Sequence, residues 1–286
     1  MPERLLEADG LHLRRTLDSG QAFRWRWETA ADGREIATGI IGRRVVRLAQ
    51  DVQGLRLIAP ATPRTRDALL RYLGVTSRNG GGIGGVEAAL TRDPVLASIL
   101  PHTRGIGLLA QDPWEVLISF IVSQNNNIPK IIQSIERLSR ALGEPLGGGA
   151  YAFPTPARLS VAAPRTLAAC LLGYRVPYVR TAARLVATGR LDLGALRRMP
   201  ESVARDILCG VPGIGEKVAD CILLFGLGHA TAFPVDVWVR RAVEWLYFRR
   251  RPRTVREIRE FACDRFGPLA GYAQQHLFAF ARGHFT

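Results

Sequence analysis

The chain has 286 residues, room for one large domain or two of ordinary size. Apolar residues make up 47% and charged residues 22%, which excludes intrinsic disorder, and no apolar run reaches the ~18 residues of a membrane span. Lys and Arg together number 39 against 25 Asp and Glu, a net charge of +14 that points to an anionic partner, nucleic acid ahead of a membrane surface. The N-terminus, MPERLLEADG, is charged and lacks an apolar signal segment, so an intracellular protein is expected. Residues 23–27 (FRWRW) alternate aromatic and basic with period two, as a half-buried strand does. Residues 36–41, a Gly42-Arg43 turn and residues 44–49 read as a hairpin, and 55–58 as a further strand, so the first 60 residues read as an antiparallel meander. Residues 79–85 are glycine-rich and read as a flexible loop.

From about residue 88 the pattern is helical. Asp112-Pro113 supplies an N-cap and a first-turn proline for a helix carrying Val116, Leu117, Phe120 and Ile121. Asn125-Asn126-Asn127 interrupts it, and Ile128 to Leu142 resumes at helical spacing with Gly143 as the stop. Gly147 to Gly149 reads as a loop, and Tyr178 to Ala187 as a helix ended by Gly189. The expected class is therefore α+β: an antiparallel sheet domain over residues 1–100, then a helical region over 101–286 with a helix-hairpin-helix motif at 203–227. Cys170, Cys209, Cys221 and Cys263 are scattered with no CxxC pair, against a zinc module or a disulfide scaffold.

The segment 203–227, VARDILCGVPGIGEKVADCILLFGL, carries the chemistry. Two apolar-periodic stretches flank Val211-Pro212-Gly213-Ile214-Gly215. Proline stops the first helix and the glycines permit a tight hairpin. The second helix then starts with unpaired amides at its positive end, an anion site. With this net charge a phosphodiester is the expected anion; an ordinary corner between two helices is the plainer reading. Lys130 and Lys217 are the only lysines, every other basic residue of the 39 being arginine. A lysine can lose its proton and become an amine nucleophile, which arginine cannot. Lys217 stands in the first turn of the second helix; position alone reads as a surface lysine at a helix start, while the unfavourable placement of a cation there counts toward function. Asp236, in Phe233-Pro234-Val235-Asp236-Val237-Trp238, reads as the N-cap of a further helix, a role compatible with a carboxylate held rigidly at a cleft.

VPGIGEKVADC followed by PVDV resembles the signature of the helix-hairpin-helix DNA glycosylases, and the lysine resembles that of their glycosylase/lyase branch. SGQAFRW, SQNNNI and GYAQQHLF narrow the resemblance to the 8-oxoguanine DNA glycosylases, over residues 19–278. The resemblance implies an N-terminal antiparallel sheet domain joined to two helical domains, with the active site in a DNA-binding cleft between the helical parts. Lys217 matches the catalytic lysine and Asp236 the catalytic aspartate. Gly20 matches the residue whose backbone carbonyl recognises the oxidised base. Gln274 and Phe278 match the residues that read the base edge and stack on its face, and Cys221 matches a cysteine lining that pocket. Asn125 matches the residue that fills the gap in the duplex, Tyr174 the wedge, Arg175 the contact to the orphaned base, and Gly213 and Gly215 the phosphate-gripping hairpin.

Two positions depart from the pattern. Lys130 stands where eukaryotic members carry an arginine that reads the estranged cytosine, which implies relaxed selectivity for the opposite base. Trp238 stands where a histidine is usual. Only Cys263 follows the catalytic region, so the four-cysteine iron–sulfur loop of the endonuclease III branch is not expected. The implied partner is double-stranded DNA containing 8-oxoguanine, engaged by a monomer without membrane, metal or organic cofactor. An alkylated-base glycosylase would need Asp236 but not Lys217. A non-catalytic DNA-binding module would need the hairpin glycines alone.

Overall fold

In a computed structural model, residues 4–6, 8, 10–59, 62–75 and 82–285 are described. Strands β1 (Arg4–Leu6), β2 (Trp25–Thr29), β3 (Glu35–Ile41), β4 (Arg44–Asp51) and β5 (Gly54–Ala59) form one antiparallel sheet in the order β1-β5-β4-β3-β2. The short helices α1 (Leu13–Leu17) and α2 (Pro63–Tyr72) pack with it. Trp25, Ala37, Val46, Leu48, Leu55 and Leu57 of the strands share a core with Leu13, Leu17, Leu69 and Leu73. The period-two reading of 23–27 holds from Trp25 onward. Phe23 leaves the sheet and joins the helical core instead, with its ring 5.6 Å from that of Phe120.

The helical part follows. It comprises α3 (Gly82–Leu90), α4 (Pro94–Thr103), α5 (Pro113–Ser123) and α6 (Ile128–Leu142), then a small hairpin of β6 (Pro145–Gly147) and β7 (Ala150–Tyr151). After it come α7 (Pro156–Ser160), α8 (Pro164–Ala169), α9 (Val176–Ala187), α10 (Leu193–Leu196), α11 (Glu201–Cys209) and α12 (Glu216–Ile222). The last three are α13 (Val237–Tyr247), α14 (Val255–Phe266) and α15 (Ala270–His284). Asp112 caps α5 as expected, accepting from the amides of Trp114 and Glu115 at 2.9 and 3.0 Å. Asn127 caps α6 and Gly143 closes it, so the asparagine run marks a true break between helices.

Two expectations are corrected. The glycine-rich stretch does not stay a loop: Gly82–Leu90 is helical, while 79–81 lie outside the described residues. Ile83, Val86 and Leu90, spaced three and four apart, bury one face, and that burial outweighs the low helix propensity of glycine. The division at residue 100 also fails as a boundary of packing. Leu96, Ile99 and Leu100 of α4 share a core with Phe233, Val239, Val243, Ile258 and Leu277, far along the chain. A separate core gathers residues of α5, α6, α9, α11 and α12. The chain thus enters one helical body with α3 and α4, builds a second from α5 to α12, and returns to the first with α13 to α15. The crossing segment, residues 228–236, delivers Asp236 to the junction of the two.

Candidate active site

A cavity of about 350 Å³ opens at that junction, lined by Gly20, Phe120, Lys217, Cys221, Asp236, Trp238, Gln274 and Phe278 among others. It is small for a ligand pocket, a size suited to one planar heterocycle. Lys217 and Cys221 are one turn apart on α12 and face it together. The helix runs on into a π turn, Leu223–Leu227, of the kind that recurs at functional sites. The Lys217 ammonium lies 5.3 Å from the Phe120 ring centroid, within cation–π range. Burial pushes the Cys221 thiol up to about 12, against the pull of neighbouring Lys217. Cys221 is therefore a protonated, inert wall residue at neutral pH.

Asp236 caps α13 with one oxygen. Oδ1 accepts from the amides of Trp238 and Val239 at 3.0 and 2.8 Å. Burial raises its pKa above the ordinary aspartate value, while the cap amides and the Lys217 charge work the other way. The cap fixes the carboxylate at the cavity wall.

Gly20 forms the opposite wall, with φ +79°, a backbone shape that favours glycine. A Cβ there would lie 3.2 Å from Cε1 of Phe278, so the backbone sits directly against that ring. The segment is clamped by Gln21, a residue inside SGQAFRW to which the sequence assigns no role of its own. Its buried carboxamide donates to the Gly107 carbonyl at 2.8 Å and accepts from the Leu109 amide at 2.8 Å. Gln111 in turn donates to the Gln21 carbonyl at 2.6 Å. Gln274 and Phe278, one turn apart on α15, complete the cavity.

The expected DNA-contact residues lie outside this cavity, and Asn125, Tyr174, Arg175 and Gly213 are joined through one network. Asn125, between α5 and α6, has φ +45°. Arg175 is buried, and its guanidinium donates to the Gln124 carbonyl from Nε at 2.9 Å and from Nη2, and to the Asn125 carbonyl at 3.0 Å. It also lies 4.5 Å beneath the exposed Tyr174 ring, whose hydroxyl donates to the same Gln124 carbonyl at 3.3 Å. The guanidinium of Arg175 thus holds the carbonyls on either side of the asparagine loop's first peptide. The Gln124 side chain donates to the Gly213 carbonyl at 2.8 Å, tying the asparagine loop to the hairpin. Gly213 has φ +87°, and a Cβ there would lie 2.3 Å from the Tyr178 ring, so only glycine lets the hairpin settle on α9. Gly215 is the N-cap of α12 without a side-chain cap, which leaves the first-turn amides no side-chain acceptor. Lys130 is exposed in the first turn of α6.

This geometry can be set beside known proteins. Residues 118–267 match the model of the HhH-GPD superfamily base excision DNA repair proteins, and residues 5–117 that of the 8-oxoguanine DNA glycosylase N-terminal domain. An N-glycosylase/DNA lyase of Arabidopsis thaliana is 30% identical over 92% of this chain and 75% of its own length. The solved structure of MBOgg1 in complex with a low-affinity DNA ligand superposes with a TM-score of 0.89 at 37% identity, over the full length of both chains. The 8-oxoguanine glycosylase/lyase of Clostridium acetobutylicum, in complex with double-stranded DNA containing cytosine opposite 8-oxoguanine, gives 0.86 at 32%, over 96% of this chain and 93% of that one.

Proposed function

The chain belongs to the 8-oxoguanine DNA glycosylase branch of the helix-hairpin-helix base excision repair superfamily, and from that premise we propose that it removes 8-oxoguanine from duplex DNA inside the cell and then cuts the strand. One observation carries the assignment of roles: Lys217 and Asp236, each at the start of its own helix, face one cavity walled by Gly20, Gln274 and Phe278.

A base inside a duplex is out of reach, so the nucleotide is flipped into the cavity. Asn125 and Tyr174 fill the vacated stack. Phe278 stacks on the extruded base, Gln274 meets its Watson–Crick edge, and the Gly20 carbonyl accepts from N7–H, which 8-oxoguanine has and guanine lacks. As the C1′–N9 bond breaks, its electron pair leaves with the base, and Asp236 stabilises the oxocarbenium-like charge on the sugar. The lone pair of the Lys217 nitrogen bonds to C1′, and the nitrogen gives up a proton that O4′ takes up. The C1′–O4′ bond then opens to leave a protonated imine. Loss of a C2′ proton expels the 3′ phosphate and cuts the strand. Cys221 remains a thiol throughout.

Lysine separates this reading from an alkylated-base glycosylase, which has no use for a Schiff base. Borohydride added during reaction on an 8-oxoguanine duplex should trap a covalent protein–DNA adduct. Lys217→Gln should abolish the adduct and leave duplex binding largely intact. Adduct at the native level from that variant would remove Lys217 from the mechanism.

A further inference from the structure

Gln275 has no role in the chemistry above, yet it lines the same cavity and is 3% exposed. Its Nε2 donates to Oε1 of Gln274 at 2.8 Å, and Nε2 of Gln274 donates to the Pro234 carbonyl at 3.1 Å. The direction of this chain follows from its anchor. A carbonyl only accepts, so Gln274 must turn its nitrogen toward Pro234. Its oxygen then faces Gln275, which must answer with a nitrogen. The chain ends on Oε1 of Gln275, buried and without a hydrogen-bond partner among the described residues. A buried acceptor left unpaired is unfavourable, and an apolar side chain at 275 would only move that deficit to Oε1 of Gln274, so a glutamine there brings no net gain in pairing. The arrangement is therefore not explained by stability.

We propose that Gln275 is a specificity-determining positioning residue: it fixes which way round the Gln274 carboxamide meets the flipped base, so that the cavity takes the lactam edge of an oxidised guanine and rejects the amidine edge of an oxidised adenine. The inference rests on the reading of Gln274 as the group that meets the base edge. Along the Watson–Crick edge, guanine and 8-oxoguanine present an acceptor at O6 and a donor at N1. Adenine and its oxidised form present a donor at N6 and an acceptor at N1. A carboxamide free to exchange its oxygen and nitrogen pairs with either edge, and one held in a single sense pairs with one. Pro234 and Gln275 grip Gln274 from opposite ends and hold that sense before any base arrives. Pre-orientation of this kind is what lets a polar site refuse a near-isosteric ligand.

The test is single-turnover excision of 8-oxoguanine and of 8-oxoadenine from otherwise identical duplexes, with thermal melting of each protein. Native protein should favour 8-oxoguanine. Gln275→Leu should narrow that preference by about tenfold, the loss falling on the half-saturating enzyme concentration more than on the limiting rate. Its melting temperature should stay near native, because one unpaired buried acceptor, Oε1 of Gln274, replaces another, Oε1 of Gln275, which a merely structural glutamine would not show. Gln275→Met, matched in length, should behave alike. If both variants keep the native preference while Gln274→Ala loses it, the proposal is overturned and the base-edge reading stands. If Gln274→Ala keeps the native preference, the base-edge reading falls and the proposal with it. If both variants at 275 lose the fold, the residue is structural and the proposal is overturned.

Discussion

The cavity and the rim beside it are built by different means. In the cavity, local helix geometry places each reacting group. Asp236 is set by the cap it makes, Lys217 and Cys221 by one turn of α12, and Gln274 and Phe278 by one turn of α15. In the rim, two side chains do the placing across long sequence separations. Arg175 gathers the carbonyls of 124 and 125, and Gln124 reaches the Gly213 carbonyl. A site set by helix ends survives the loss of a distant contact. A rim held by one arginine does not. Chemistry therefore rests on short-range rules here, and opening of the duplex rests on long-range ones.

The sharpest test of the first half of that contrast is Asp236→Asn. Asparagine caps a helix about as well as aspartate, so stability should change by less than about 1 kcal/mol. Excision should slow by roughly 10²–10³-fold, as when one preorganised electrostatic group is removed. The pH profile should change as well. Excision needs the carboxylate, and burial holds its pKa above the ordinary value. The native rate should fall with decreasing pH along a limb that starts at higher pH than an ordinary aspartate would give. The variant should lack that limb. A native limb that persists in Asp236→Asn would assign it to another group.

The same contrast decides what the sequence made legible. Asp236 and Lys217 could be read because helix starts have a local grammar, an Asx cap ahead of an apolar run and a cation where none is expected. The sheet could be read because alternation exposes itself over five or six residues, as in Trp25, Arg26 and Trp27. Helix α3 could not, because its glycines speak against helix locally and only the burial of Ile83, Val86 and Leu90 reverses them. Nor could the true packing division, since an amphipathic α4 reads the same whichever body covers it. Gln21, Gln124 and the inward turn of Arg175 belong to the same class. A buried amide or guanidinium gets its meaning from partners some 50 to 90 residues away, and no spacing announces them.

Gly20 tests where the two modes of construction meet, since a long-range clamp holds it against a residue placed by its own helix. Alanine there meets two penalties. The backbone at φ +79° disfavours any Cβ by roughly 1–2 kcal/mol, and that Cβ presses on the Phe278 ring at 3.2 Å. Gly20→Ala should lower excision of 8-oxoguanine by about tenfold or more, one unit of ten corresponding to ~1.4 kcal/mol. Affinity for undamaged duplex should stay near native, because the rim is untouched. Equal loss in both measurements would mean that the segment supports the whole cleft, and unchanged lesion excision would remove the carbonyl at residue 20 from lesion recognition.

The smallest effect is expected at the rim, from Arg175→Lys. Lysine keeps the charge but offers no planar fork, so it cannot reproduce the rigid forked contact to the carbonyls at 124 and 125. The Asn125 backbone, at φ +45°, then loses part of what holds it in place. These bonds join the asparagine loop to the Tyr174–Arg175 turn and the hairpin, so the loss should fall on entry of the base and not on its chemistry. Excision from an ordinary duplex should drop by about fivefold, near 1 kcal/mol. The same lesion opposite an abasic site needs less help to leave the helix, because an unpaired base is cheaper to extrude. There the deficit should shrink toward nothing. An equal deficit on the two duplexes would place Arg175 in the chemical step, and the division between cavity and rim would then be wrong at the one residue on which the rim depends most.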